Sequence, residues 1–372
     1  MTIMQNNIGK KRICFTVYKS DAYGGVETVA RSLVNSFSNE YEIFYLGLLG
    51  EDRSSVYGIK KEVRTDSLLQ SSYESKRLRS LQWDVLRPMY SWIKKNHIDI
   101  VVVMGHYPAF LIAPLACILR AKIVFCDHGA LMNQWNDKKT TLMRFIASKA
   151  CDKIVVLTKK SNDDYIEKFH INPKKITYIY NCIEPTANDS KQYDASSHKL
   201  LSVGRLSREK GFDQLIEAMA LVAKKHPDWT LDIYGDGEEA DNLRHRINEL
   251  KLAKQVILKG KTDKIRDYYK NYAAYVMPSY REGLPLTLLE AKINMLPIIS
   301  FDVDTGPREI VRDGVDGFLV EPKNIEAFAE KICELIESKE LRESFSEKAK
   351  ENLNVFEKET ILPRWRDLFE EI

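Results

Sequence analysis

The chain has no CxxC pair, and its six cysteines, Cys14, Cys117, Cys126, Cys151, Cys182 and Cys333, show no metal-ligand spacing. Neither a zinc ribbon nor a disulfide scaffold fits that pattern, and reduced core thiols are expected. An unbroken apolar run of membrane-spanning length is also missing. The longest apolar region, Val101 to Phe125, is interrupted by His106, Pro108, Pro114 and Arg120, so no spanning helix is expected. Met1 to Arg12 is polar and the apolar run after it is only a strand long, so no cleavable signal is read there. No basic and aromatic module recurs along the chain, which argues against a nucleic-acid partner. A cytoplasmic protein, docked at most on a membrane surface, is the consistent expectation.

What is present is a globular composition: 372 residues, 29% charged and 44% hydrophobic. That length exceeds one ordinary core and fits two domains. The net charge of +3 conceals an imbalance, with 27 Lys+Arg against 19 Asp+Glu up to residue 190 (+8) and 29 against 34 beyond it (−5). In the basic half, Lys76, Arg77, Arg79, Arg87, Lys94 and Lys95 interleave with Leu78, Leu81, Trp83, Leu86, Trp92 and Ile93. Two readings fit this stretch. One is a peripheral contact with anionic membrane lipid, the other an ordinary amphipathic surface helix whose pattern Pro88 interrupts.

Strand and helix patterns alternate from Ile13 onward. Strands are expected at Ile13 to Val17, Tyr41 to Leu48, Ile98 to Met104, Lys122 to Cys126, Lys153 to Leu157 and Ile176 to Ile179, separated by helical spacing. Glu184 to Ser197 is rich in Pro, Thr, Asn, Asp and Ser and reads as a linker. The alternation then restarts, and after Glu326 the chain is helical to its end. The fold class is therefore α/β, with two doubly wound Rossmann-like domains in tandem, 1–187 and 198–357. The amphipathic segment 358–372 is expected to return to the first domain. Ligands of open α/β sheets sit beyond the carboxyl ends of the strands, so two facing sheets would share a cleft.

The densest chemistry lies in Arg281 to Ala291, where Glu282 and Glu290 stand eight positions apart around a helix start expected at Pro285. Exposed amides and a positive dipole end would meet a phosphate there, with one carboxylate for a sugar and another for a ribose. Gly204 to Gly211 ends another strand and brings Arg205 and Lys210 to helix amides, a set able to neutralise a diphosphate leaving group without a metal. Gly24 and Gly25 lie between the first strand and helix, where a backbone can approach a phosphate closely. His128 directly follows a strand and can hydrogen-bond a sugar or phosphate. Two motifs read as decoys. Gly235 to Ala240 matches the dinucleotide fingerprint, but Asp236, Glu238 and Glu239 would repel a pyrophosphate, so it reads as a turn. Asp302-Val303-Asp304 is a literal DxD, and with cations already facing the diphosphate no metal is expected there.

Together, Gly24-Gly25-Val26-Glu27, Gly204-Arg205 with Lys210-Gly211, Glu282-Gly-Leu-Pro with Glu290, and Gly306-Pro-Arg-Glu with Asp313-Gly314 resemble the retaining GT-B glycosyltransferases of family four. The resemblance implies a UDP-sugar donor bound mainly by the second domain, with no cofactor and no metal. It gives Glu290 the ribose, and Glu282 with the amides of Gly283, Leu284, Pro285 and Leu286 the donor sugar. Arg205 and Lys210 take the diphosphate, Gly24 and Gly25 close over the phosphates, and His128 reaches the sugar or the reacting phosphate. The nucleobase would lie near Gly235 and Lys261. Transfer of a hexose or N-acetylhexosamine to a lipid-linked or cell-surface glycan, as in O-antigen, capsule or lipopolysaccharide assembly, is what such members imply. Tyr107, Trp135 and the loop Asp66 to Ser75 are candidate acceptor contacts. At the hinge the chain departs from the family's Asn-Gly, with Asn181-Cys182. A UDP-N-acetylglucosamine epimerase and a non-catalytic sugar-nucleotide-binding subunit are the alternatives.

Overall fold

The structure is a computed structural model that describes residues 9–22, 24–51, 58–183, 189 and 193–372. The chain divides into two compact units, Met1–Asn181 with Ile361–Ile372, and Cys182–Thr360. Most of the expected linker, 184–188 and 190–192, lies outside the described residues, as does Tyr23.

The first unit is built on seven strands: β1 Arg12–Lys19, β2 Glu42–Leu49, β3 Arg64–Leu69, β4 Ile100–Met104, β5 Lys122–Asp127, β6 Lys153–Val156 and β7 Ile176–Tyr178. They run in the order β3-β2-β1-β4-β5-β6-β7, every pair parallel. Strands such as Ile100–Met104 are buried along their whole length, as expected where helices cover both faces of a parallel sheet. The strand order reverses between β1 and β4, which opens a crevice at their carboxyl ends.

Two expectations need correction here. The acceptor loop placed at Asp66 to Ser75 is not a loop. Asp66 to Leu69 belongs to β3 and Ser71–Ser75 forms a 3₁₀ turn, with Asp66 accepting from the Trp92 indole N–H at 2.9 Å. Pro88 does not break its helix either, which runs unbroken from Leu78 to Lys95. Leu81, Val85, Met89 and Ile93 recur every four residues and are buried, while Leu78, Leu86 and Trp92 pack on the same core. The apolar stripe thus faces the sheet, and its packing holds the helix through the one backbone bond that proline removes. Of that helix's large apolar side chains, Trp83 is the one strongly exposed, at 76%.

At the carboxyl end of the chain, helix Lys358–Glu371 returns to this unit. Trp365 and Phe369 meet Phe15, and Phe369 also meets Phe37 and Tyr41, with ring centroids 5.4–6.4 Å apart.

The second unit has six strands: β8 Lys199–Val203, β9 Thr230–Tyr234, β10 Val256–Gly260, β11 Ala274–Met277, β12 Ile298–Phe301 and β13 Gly317–Val320. Their order is β10-β9-β8-β11-β12-β13, again all parallel. Its core joins Leu215, Ile216 and Met219 of helix Phe212–Lys225 to Phe328 and Ile332 of helix Ile325–Glu337. The order reverses between β8 and β11, so the segments after these two strands emerge side by side. They are the segments that carry Arg205 and Lys210 on one hand and Glu282 on the other.

Candidate active site

Neighbouring strands β8 and β11 bring residues 72 positions apart into contact: the Lys210 ammonium lies 2.7 Å from Glu282 Oε1. The Ser279 hydroxyl donates to the same oxygen at 2.7 Å, and the Thr305 hydroxyl donates to the Glu282 backbone carbonyl at 2.6 Å. The two loops are stitched further by the Tyr280 amide to Glu209 O at 2.9 Å and by Gln214 Nε2 to Pro278 O at 3.1 Å. Gly211 permits this closeness, because it holds φ +66 and a Cβ there would sit 2.1 Å from Pro278 O. Sequence reasoning gave Lys210 to a diphosphate and Glu282 to a sugar; the structure pairs them with each other. Arg205 stands exposed at the end of the same strand.

Helix Leu286–Ile293 begins one residue later than expected, because Pro285 holds ψ 111 and lies outside it. No side chain caps this start. Pro285 has no N–H to offer, so the amides at the turn are those of Gly283, Leu284 and Leu286. Gly306, at φ +96, packs directly on this turn, its position for a Cβ being 2.6 Å from Gly283 O and 2.7 Å from Pro285 Cδ.

Glu290 lies farther along the helix with its side chain 20% exposed. Tyr269 donates to Oε2 at 2.9 Å and Arg266 Nε approaches Oε1 at 3.7 Å. Burial pushes the Glu290 carboxyl above its ordinary range, opposed by Arg266 and Tyr269. Tyr269 is itself fully buried and stacked on Tyr275, centroids 6.1 Å apart. Neither Tyr269 nor Arg266 was marked by sequence, since a short helix at Ile265–Tyr268 has no periodicity to read.

The Gly235 turn is more than a turn. Gly235 has φ +153, and a Cβ there would lie 1.8 Å from Gly204 O. Leu206 donates to Asp236 O at 2.9 Å, and Glu239 returns the bond to Leu206 O at 2.9 Å. The loop that follows β9 therefore buttresses the loop that presents Arg205. Lys261 follows β10, whose last carbonyl, Gly260 O, accepts the Gly235 amide at 3.0 Å. Of the DxD pair, Asp302 is bound by the Arg308 guanidinium.

In the first unit, Gly24 precedes helix Gly25–Phe37 with extended backbone, φ −137 and ψ 173, and no side chain caps the helix. The Glu27 carboxylate folds back so close that a Cβ on Gly24 would lie 2.5 Å from it. His128 follows β5, with Nε2 3.5 Å from Cys126 Sγ, and burial lowers its imidazole pKa to about 4, so it is neutral at physiological pH. Its neighbour Asp127 is fully buried. Asp127 accepts from the Gly129 amide at 3.1 Å and the Tyr165 hydroxyl at 2.7 Å, and Arg144 Nε lies 2.8 Å away. This Asp127, Arg144 and Tyr165 group, which fixes the loop bearing His128, left no mark in the sequence because its members are 17 or more positions apart.

Two family models tile the chain: Glycosyltransferase Family 4 matches residues 23–187, and Glycosyl transferases group 1 matches residues 185–352. The amylovoran biosynthesis glycosyltransferase AmsD of Erwinia amylovora is 31% identical over 256 residues, covering 67% of this chain and 70% of that protein. The chain belongs to the group 1, family-four glycosyltransferases. An uncharacterized glycosyltransferase of Haemophilus influenzae is 28% identical over 96% of this chain and 99% of its own length. The fold of this glycosyltransferase is GT-B. A crystal structure of S. aureus TarM, holding fondaparinux, alpha-GlcNAc-glycerol and UDP, matches it with a TM-score of 0.82 at 18% identity, over 96% of this chain and 99% of that one. Among the described residues no helix is long and apolar enough to cross a membrane.

Proposed function

We propose that this glycosyltransferase moves a hexose or N-acetylhexosamine from a UDP-sugar to a hydroxyl of a lipid-linked or cell-surface glycan, keeping the anomeric configuration and using no metal. The observation that carries the reading is the junction of Lys210 and Glu282 at 2.7 Å, at the strand reversal of the second unit and beside an uncapped helix start. In this reading the diphosphate draws Lys210 and Arg205 to its oxygens, and the turn amides of Gly283, Leu284 and Leu286 complete a preorganised anion site. Glu282, released from part of its ion pair, accepts from the donor sugar's hydroxyls, and Glu290, steadied by Tyr269, accepts from the ribose. As the bond from the anomeric carbon to phosphate oxygen breaks, the acceptor oxygen bonds that carbon on the same face and its proton passes to the departing phosphate. Cationic stabilisation of the leaving group supplies much of the rate in such a step. For Gly24, Gly25 and His128, and for a nucleobase near Gly235 and Lys261, the proposal stands on the family resemblance alone.

The UDP donor is supported by the UDP in the TarM crystal, and a glycan acceptor by the amylovoran enzyme. The test is a thermal-shift screen of nucleotide sugars, followed by transfer of the best donor to lipid-linked sugars and NMR of the product's anomeric carbon. Arg205→Ala and Lys210→Ala should each lower turnover roughly 100-fold or more. Near-normal turnover in either variant, or an inverted product, would overturn the mechanism. Epimerised donor appearing without acceptor would favour an epimerase instead.

A further inference from the structure

The first unit hides the apolar stripe of helix Leu78–Lys95 but exposes apolar side chains on another helix. On Lys138–Ala150 the outward positions include Lys138, Leu142, Phe145 and Lys149, spaced by four, three and four residues and so aligned on one face. Leu142 is 57% and Phe145 40% exposed. Beside them Trp135 and Phe169 complete a groove of about 470 Å³ that Lys138 also lines. Phe169 meets Phe145 edge-on at 5.4 Å and Trp135 at 5.9 Å. The Lys149 ammonium, toward the carboxyl end of the helix, lies 5.5 Å from the Phe145 ring centre and also donates to the Phe169 carbonyl at 2.8 Å. At the other end, Asp137 is occupied in capping the helix through the Lys139 and Thr140 amides, and Lys138 and Lys139 are exposed.

Charge decides what fits such a face. Residues 138–175, which span both helices around the groove, hold nine Lys against four Asp+Glu, the segment's one arginine, Arg144, being buried against Asp127. An open aromatic and aliphatic centre edged by ammonium groups matches the boundary of an anionic bilayer, where rings enter among acyl chains and ammonium groups meet lipid phosphates. A soluble polyanion would leave Leu142 and Phe145 without a role. We propose that the face formed by helix Lys138–Ala150 and the Trp135–Phe169 groove docks on anionic phospholipid bilayers, in place of the helix 78–95 that the sequence pattern singles out.

The test is flotation of the full chain with vesicles of phosphatidylcholine alone or mixed equally with phosphatidylglycerol. The wild type should float with the mixed vesicles only, and added salt should release it. Leu142→Ser with Phe145→Ser, and separately Lys138→Glu with Lys139→Glu, should each weaken binding roughly tenfold or more, whereas Trp83→Ser should leave it unchanged. Thermal melts report folding, and if the apolar pair does not fold, the surface lysine pair decides. Failure of the wild type to float, undiminished flotation of the folded variants, or loss of flotation in Trp83→Ser would overturn the proposal. So would a wild-type dimer in light scattering that the apolar pair dissolves, since a second copy would then cover the face.

Discussion

Replacing Gly235 by alanine tests whether the loop presenting Arg205 works as a positioned part. A Cβ built at Gly235 falls 1.8 Å from Gly204 O, while Cβ contacts essentially never fall below 3.0 Å, so the two loops must part by about 1.2 Å. The backbone there also holds φ +153, a region costing a non-glycine residue roughly 1–3 kcal/mol. The loops cannot part freely, because Leu206 bonds Asp236 and Glu239 bonds Leu206; the displacement passes to Arg205, adjacent to Gly204. A misplacement of about 1 Å is enough to lower a rate roughly 100-fold, so Gly235→Ala should lose about that factor in kcat/KM while remaining folded by circular dichroism. Gly260→Ala is the control. Gly260 has φ +74 but nothing within 4 Å of its Cβ position, so its variant should lose stability by about the same strain and keep its rate. Initial rates with the best UDP-sugar, measured beside thermal melts, separate the outcomes. A folded Gly235→Ala enzyme within a few-fold of wild type would refute the claim that this loop's position governs the reaction.

If Glu290 holds the ribose as proposed, Glu290→Gln should raise the donor KM more than it lowers kcat, since the ribose hydroxyls then lose a charged acceptor. Burial raises the Glu290 carboxyl above 4.5, so the unfolded chain ionises first as pH climbs, and the stability Glu290 contributes at low pH is lost above that window; the glutamine variant should melt higher than wild type at pH 7. His128 has the opposite sign of effect: its pKa is lowered to about 4 from 6.5, so the unfolded chain binds a proton first as pH falls. His128→Asn should therefore flatten the loss of melting temperature between pH 6.5 and pH 4, and parallel curves for the two proteins would contradict the buried neutral imidazole. Asp127→Asn or Arg144→Met, each leaving a buried partner uncompensated, should destabilise by about 3–5 kcal/mol in urea melts, and combining Asp127→Leu with Arg144→Met should recover part of that loss.

The sheets were largely legible because parallel strands buried on both faces are short apolar runs, and β1, β4, β5, β8 and β9 all read that way. β3 was missed for the complementary reason. Arg64–Leu69 is an edge strand with one neighbour and only Ser67 buried, so four of its six residues are polar and mimic a loop. Of the two readings of Leu78–Lys95, its buried stripe fits the ordinary amphipathic surface helix, since spacing reveals that a face is apolar and not whether core or lipid covers it. The same limit governs the site. Each loop announces itself as a strand-to-helix junction, but nothing local records that β8 and β11 are neighbours, and only that adjacency places Lys210 on Glu282. The pairing changes what the two residues mean. A cation and a carboxylate assigned to separate parts of one substrate are held together before it arrives, with Glu282 8% exposed. In the proposed reading, a diphosphate that draws Lys210 away leaves Glu282 with the Ser279 hydroxyl and room for a further donor, which a sugar's hydroxyls supply. On that proposal phosphate recognition and sugar recognition are linked through one ion pair, so a change at Lys210 should alter which sugar is accepted as well as how fast it leaves.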